Sequence, residues 1–389
     1  MRSLVLDVET TISNKGNPFD ERNKLCYVGL YNDTVCDLVD IDYSGNPNRD
    51  RLDSIQRLID SHDILVGFNI KFDLHWIKNY GITFMGKRIW DCQLVHFILT
   101  GQQNPYPSLN GVADYYGLGS KLDVVASEYW SNNIDTTAIP RDVLEEYLKQ
   151  DLQLTQKVYE KQLEEFASST KQMQRLISLH NQDLLILQEM EYNGILFDEE
   201  ECIKLGTETK KDIEHLDSIL YTYHSLPEFN PNSTEHISAL LYGGFIKVRR
   251  QEVIGTFKTG TRAGLPKSQW KDHTITFERI VNPLKGSELE KEGFFSTDEQ
   301  TLKSLKGSKK AKELIELFLH RATLEKRLSA YYEGLVELRK SMNWKQGQLH
   351  GQLNQCVAKT GRLSSSKPNL QNFDGEIKKL FGSRYAVTS

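Results

Sequence analysis

Four carboxylates and one phenol fall in three short windows of the first 151 residues. Asp7 and Glu9 lie in Leu6-Asp7-Val8-Glu9-Thr10, Asp73 closes Asn69-Ile70-Lys71-Phe72-Asp73, and Tyr147 and Asp151 frame Tyr147-Leu148-Lys149-Gln150-Asp151. Acids gathered in one place repel one another, and folding alone rarely requires them. Together they can hold two divalent metals close enough to hydrolyse a phosphodiester. On a strand, side chains at i and i+2 share a face, so Asp7 and Glu9 point the same way. In such a site Asp7 bridges two ions, Glu9 holds one and Asp151 completes the set. Tyr147 and Asp151 are i, i+4 neighbours on a helix, which lets the Tyr147 hydroxyl orient a water that the metal has made more acidic.

The elements that must position these groups are legible in the hydrophobic pattern. Residues 1–9 read as a buried strand ending in acids, and residues 24–31 and 35–40 as two more strands. A helix is expected over 51–61, then an apolar strand over 64–68, a turn into a helix at 69–73, and mostly helix to 165. Residues 141–163 have helical periodicity, with Leu144, Tyr147, Leu148, Leu152 and Val158 on one side. This alternation predicts a mixed sheet flanked by helices, with the acids at its carboxyl edge. Small and hydroxyl-bearing residues at 167–171 mark a junction. Beyond it, residues 172–192 read as an amphipathic helix carrying Leu176, Leu179, Leu184, Leu187 and Met190. Asn193-Gly194 stops it, and Asp198 is placed to cap the next helix.

Each acidic window alone could be a solvated strand end or helix surface. In this order, however, the windows resemble the three motifs of the 3′–5′ proofreading exonucleases, whose signature is Asp, Glu, Asp, Asp with a tyrosine. Trp90-Asp91-Cys92-Gln93-Leu94 and residues 108–117 are similar to that family's two central helices, with Asp91 as a supporting or helix-capping acid. The stretch Glu191-Tyr192-Asn193-Gly194-Ile195-Leu196-Phe197-Asp198 resembles the start of the thumb of family A, DNA polymerase I-like, polymerases. So do later landmarks at residues 229–233, 295–299 and 321–328. Thr360-Gly361-Arg362-Leu363-Ser364-Ser365 with Pro368-Asn369-Leu370-Gln371-Asn372 is similar to the family's motif at the start of the palm. Guanidinium, hydroxyl and carboxamide groups there suit phosphates, sugar edges and minor-groove acceptors. The resemblance gives Thr360, Arg362, Ser364, Asn369, Gln371 and Asn372 to duplex DNA.

Residues 246–272 depart from that pattern. Lys247, Arg249, Arg250, Lys258, Arg262, Lys267 and Lys271 stand there against Glu252 and Asp272, with Phe257 and Trp270 interleaved. Gly255, Gly260, Gly264 and Pro266 predict a loop or hairpin. The stretch is either a solvated basic insertion or an extension that touches phosphates or a processivity factor; Lys247, Arg249, Arg250, Lys258 and Arg262 are its candidate DNA contacts.

Composition frames this reading without deciding it. The 389 residues suit two or three domains. The net charge of −5 argues against a nucleic-acid partner only if charge is evenly spread. Five cysteines show no metal-type pairing and read as reduced thiols in a cytoplasmic compartment. Ten scattered histidines form no HExxH, and no segment has the length and apolarity of a membrane span.

The resemblance implies a ribonuclease H-like α/β exonuclease domain over 1–165, a mainly helical thumb over 172–345 with the basic insertion, and an incomplete α+β palm over 346–389. It further implies two Mg²⁺ ions, with Mn²⁺ as the alternative, acting on single-stranded 3′ ends beside a primer-template. Residues 380–385 resemble the strand leading to the palm's first catalytic aspartate, but the remaining polymerase motifs are not in the sequence. A second polypeptide carrying the rest of palm and fingers is therefore expected, in a split polymerase of bacteriophage type. Two other functions compete: a non-catalytic DNA grip with a vestigial nuclease, and a free-standing RNA-trimming exonuclease, which leaves residues 360–372 unexplained.

Overall fold

The computed structural model describes residues 2–45, 49–120 and 124–382. The chain forms two compact units: one runs to Glu199 and resumes at Leu335, and the other is Glu200–Gly334.

The first unit is built on a five-stranded mixed sheet. Its chain order is β1 (Ser3–Thr10), β2 (Leu25–Tyr31), β3 (Cys36–Asp40), α1 (Arg49–Asp60), β4 (Ile64–Gly67), α2 (Lys71–Asn79), β5 (Arg88–Asp91), α3 (Cys92–Leu99), α4 (Leu109–Tyr115), α5 (Arg141–Ser168) and α6 (Lys171–Asn193). The strands lie in the order β3-β2-β1-β4-β5. β1 pairs antiparallel with β2 and parallel with β4, so the sheet is mixed, as expected. Leu4, Val5, Leu6 and Val8 of β1 are buried with Leu65 and Val66 of β4 and with Leu144, Leu148 and Leu152 of α5. This apolar core fixes the central strand that carries the acids.

Two helical expectations shift. Arg88–Asp91 is a strand, parallel to β4, and the helix begins only at Cys92. There the Asp91 side chain accepts from the Gln93 and Leu94 N–H groups, making it the helix cap. The stripe read along α6 divides. Leu184 and Leu187 are buried, whereas Leu179 and Met190 are 52% and 56% exposed. The true inward face runs through Ile177, Asn181, Leu184, Gln188 and Glu191. It was hidden because three of its members are polar. Ile177 and Leu184 join the core of the first unit, so compactness divides the chain at Glu199 rather than near residue 165. Gly194, in the left-handed region at φ 62°, ends α6.

A short strand, β6 (Ile195–Phe197), precedes the next helix, α7 (Glu199–His224). In the second unit the chain then forms α8 (Thr234–Tyr242), a long hairpin of β7 (Gly244–Thr256) and β8 (Pro266–Phe277), α9 (Glu299–Ser304) and α10 (Lys309–Arg327). The basic insertion is thus a hairpin. Its base is held by Ile246 and Val248 in a core with Leu240, Leu314 and Phe318. Buried Arg321 ties α10 to α7 through Asp217, at 2.5 Å, and also donates to Asn232 at 2.6 Å.

Returning to the first unit, α11 (Gly334–Ser341) leads to β9 (Gln348–Leu349), β10 (Gln352–Asn354), β11 (Ser364–Ser366), α12 (Gly375–Lys378) and β12 (Phe381–Gly382). β6 is the middle strand between β9 and β12. The strand expected over 380–385 is seen as far as Gly382; the rest lies outside the described residues. No helix among the described residues is long and apolar enough to cross a membrane.

Candidate metal centre

β1 delivers the first two acids. It outruns β4, whose pairing with it ends at Val5 and Val66. The strand beyond Val5 therefore has an open edge, where Asp7 and Glu9 stand two residues apart on one face. The Val8 N–H on that edge donates to Asp73 Oδ1 at 2.9 Å. This bond draws the first turn of α2 onto the strand between the two acids. The turn before α2 is tight: Asn69 has φ 60°, and its N–H donates to Asp91 Oδ1 at 3.1 Å.

α5 delivers Asp151. In the ladder Asp7 is opposite Gly29. A Cβ on Gly29 would lie 2.7 Å from Leu152 Cδ1 and 3.0 Å from Leu148 Cδ1. The missing side chain lets α5 press close against β2 and carry Asp151, between those leucines, to the end of β1. Carboxylate oxygens of Asp7, Glu9 and Asp151 all lie within 4.8 Å of one another. Glu9 and Asp151 are buried and Asp7 is half-buried. Asp73 stands outside that triad but within its field. Burial, and then the Asp7 charge, push its pKa well above the ordinary carboxylate range, against the Val8 N–H that favours the ionised form. Burial likewise pushes Asp91 up to about 6, opposed by the N–H groups of Leu94, Asn69 and Gln93. Carboxyl groups whose pKa is raised by burial, as here, are ones a nearby bound cation would return to the ionised state.

Tyr147 is half-buried one turn before Asp151, with Trp130 edge-on to its ring at 5.6 Å. Trp130 Nε1 donates to Thr136 Oγ1 at 3.1 Å, and Thr136 Oγ1 donates to the Thr10 carbonyl at 2.6 Å. A chain of contacts thus ties the tyrosine to the residue after Glu9. Trp130 and Thr136 were missed from sequence; nothing in their spacing marks them.

A second buried network, also missed, holds the first two turns of α2 from α6. Glu191 of α6 accepts from Lys71 Nζ at 2.6 Å, His75 Nε2 at 2.9 Å and the Leu353 N–H at 2.5 Å. Lys71 also donates to the Leu353 carbonyl. Burial works to raise the Glu191 pKa, but its bonds and charges from His75 and Lys71 hold it low. Burial keeps His75 below its usual range. The spacing of Leu184, Leu187 and Glu191, at i, i+3 and i+7, was the signal that could have placed this acid inside.

The 360–372 segment is organised by β10 and β11, which pair Gln352 with Ser366 and Asn354 with Ser364. Thr360, Arg362, Asn369, Gln371 and Asn372 are exposed and Ser364 is half-buried. Asn369 accepts from the Gln371 N–H at 3.1 Å, and Gln371 Nε2 donates to the Leu363 carbonyl at 2.8 Å. Part of the donor set read for DNA therefore shapes the loop itself. In the hairpin, Arg249 pairs with Asp272, and Arg250 donates to Glu228 at 2.7 Å. Lys247, Lys258 and Arg262 are exposed.

Residues 265–387 match the family described as DNA polymerase family A. The chain is 39% identical over 114 residues to DNA polymerase I of Synechocystis sp., covering 28% of this chain and 11% of that protein. To DNA polymerase I of Bacillus subtilis it is 25% identical over 69% of this chain and 25% of the relative. To that of Borreliella burgdorferi it is 26% identical over 82% of this chain and 30% of the relative. The chain thus spans at most about a third of the length of these relatives. A solved structure, the POL domain of Pol1 from M. smegmatis in complex with DNA primer-template and dNTP, superposes with a TM-score of 0.63 at 16% identity. It covers 97% of this chain and 53% of that one, and at this identity it shows the fold alone.

Proposed function

We propose that this chain is the editing part of a family A DNA polymerase used in replication, a 3′–5′ exonuclease acting on single-stranded 3′ ends. The observation that carries this reading is the meeting of Asp7, Glu9 and Asp151 oxygens within 4.8 Å, beside a buried Asp73. An all-carboxylate donor set suits a hard divalent cation such as Mg²⁺, or Mn²⁺ in its place. Asp7, Glu9, Asp73 and Asp151 would hold two such ions, which when bound acidify a water and stabilise the departing 3′ oxygen. The chain's own residues prepare the site. The Gly29 packing brings Asp151 to β1, the Val8 bond fixes Asp73, and Trp130 fixes the ring of Tyr147, whose hydroxyl orients the attacking water.

In the same reading Thr360, Arg362, Ser364, Asn369, Gln371 and Asn372 offer donors to a primer-template backbone and minor groove. Among the described residues, Asp7, Glu9 and Asp151 form the one group of three or more acids, histidines or cysteines close enough to share a metal. We further propose that a second polypeptide bearing the remaining palm and the fingers supplies the carboxylates for primer extension. The test is to incubate the chain with Mg²⁺ and a labelled single-stranded DNA, beside the Asp7→Ala plus Glu9→Ala protein. Stepwise 3′ shortening is expected, reduced at least ~10³-fold in the double variant. Equal digestion by both proteins would place the chemistry elsewhere.

A further inference from the structure

The β7–β8 hairpin has one face that the fold leaves uncovered. Opposed residues of an antiparallel pair share a face, so Ile246, Val248 and Arg250 lie with Ile275, His273 and Lys271. At its base that face belongs to the unit's own interior: Ile246 and Val248 are 3% and 4% exposed, and Arg250 is paired with Glu228, whereas Lys271 further out is exposed. The register puts Phe245, Lys247, Arg249, Val253 and Trp270 on the opposite face. All five are exposed, Val253 at 66% and Trp270 at 57%. Gln251 faces Trp270, with Arg249 and Val253 as its diagonal neighbours. At the tip, the Arg262 guanidinium lies 5.5 Å over the Phe257 ring, a geometry that leaves its N–H edges for other acceptors.

The charge is as uneven as the exposure. Between residues 244 and 277, Lys and Arg outnumber Asp and Glu seven to two, in a chain whose net charge is −5. An open face with an exposed indole and cations beside it is complementary to one polymer, a polyanion with free aromatic faces. A single-stranded nucleic acid supplies both, because its phosphates meet the cations and its unpaired bases stack on the ring. A duplex cannot use the indole in this way, since its base faces are already stacked.

We propose that this outward face and the hairpin tip bind single-stranded nucleic acid, stacking a base on Trp270 and setting phosphates against Lys247 of the face and Lys258 and Arg262 of the tip. The inference rests on the DNA-handling reading above, but not on an active nuclease. The test measures binding of an oligo-dT of about twenty nucleotides and of a blunt duplex of the same length, without metal, across a salt series. Trp270→Ala alters an exposed side chain and is expected to weaken oligo-dT binding about tenfold, the lower part of the range for one stacked base. Duplex binding should stay the same. Lys247→Glu plus Lys258→Glu should flatten the salt slope by about 0.7 for each phosphate no longer neutralised. Oligo-dT binding untouched by both variants overturns the proposal and gives the face to a protein partner; an equal loss on the duplex overturns the assignment to single strands. Failure of digestion with these shifts intact would instead count against the nuclease and leave the hairpin assignment standing.

Discussion

Tyr147 is the residue whose role separates positioning from ligation. It is not among the clustered acids, so Tyr147→Phe should leave divalent-metal binding unchanged while slowing cleavage roughly 10²-fold, the size of a lost proton-handling group. Single-turnover rates and metal titration, taken together, check this. A second residue, outside the acid cluster, shows how local bonds set a charge. Asp20 is buried, which alone would raise its pKa. Its bonds from Arg22, then those from Asn343 and Asn14, outweigh that and bring it down to about 2. The folded value lies below the ordinary one of about 4. The stabilisation is therefore full above about pH 4 and is lost as pH falls through about 2. Asp20→Asn should cost about 2 kcal/mol near neutrality, and urea unfolding at about pH 7 and about pH 2 should show the difference closing at the lower value.

At the scale of elements, the site depends on how closely α5 approaches the sheet. Gly29→Val would place branched carbons where Leu148 and Leu152 already lie, at 2.7 to 3.0 Å from a Cβ. Such overpacking costs about 1–3 kcal/mol. It should also lower cleavage while leaving all four acids in the sequence, a split that activity and thermal melts read together. The other support is the Glu191 network. Glu191→Ala strands Lys71 and His75 in a buried setting and should cost about 3–5 kcal/mol, as broken buried ion pairs do. Sequence made much of this architecture legible. Short apolar runs marked β1 through β4, helical periodicity marked α5, and Gly194 marked the end of α6. It failed where tertiary context decides. Arg88–Asp91 is too short for periodicity to separate from the helix behind it, and β5 exists because β4 needs a parallel neighbour. The inward face of α6 carries Asn181, Gln188 and Glu191, polar groups whose partners lie far along the chain. The spacing of Asp7 and Glu9 announced a shared face, but that a glycine opposite Asp7 admits Asp151 could be seen only in three dimensions.

For the molecule as a whole, the proposed reading gives degradation of a 3′ end to the first unit and the holding of single strands to the hairpin of the second. With dNTPs and a primed template this chain alone should shorten the primer and not extend it; extension, scored on a sequencing gel, would show that it carries polymerase carboxylates of its own. The first of these roles leans on one arrangement in the first unit, where the acids at the end of β1 and on α2 and α5 would seat paired divalent ions. A crystal of the chain grown with Mn²⁺, examined by anomalous scattering, tests it. Two peaks are expected, each within reach of carboxylates among Asp7, Glu9, Asp73 and Asp151. Well-ordered carboxylates with no anomalous peak among them, at Mn²⁺ concentrations that support other two-metal nucleases, would contradict it.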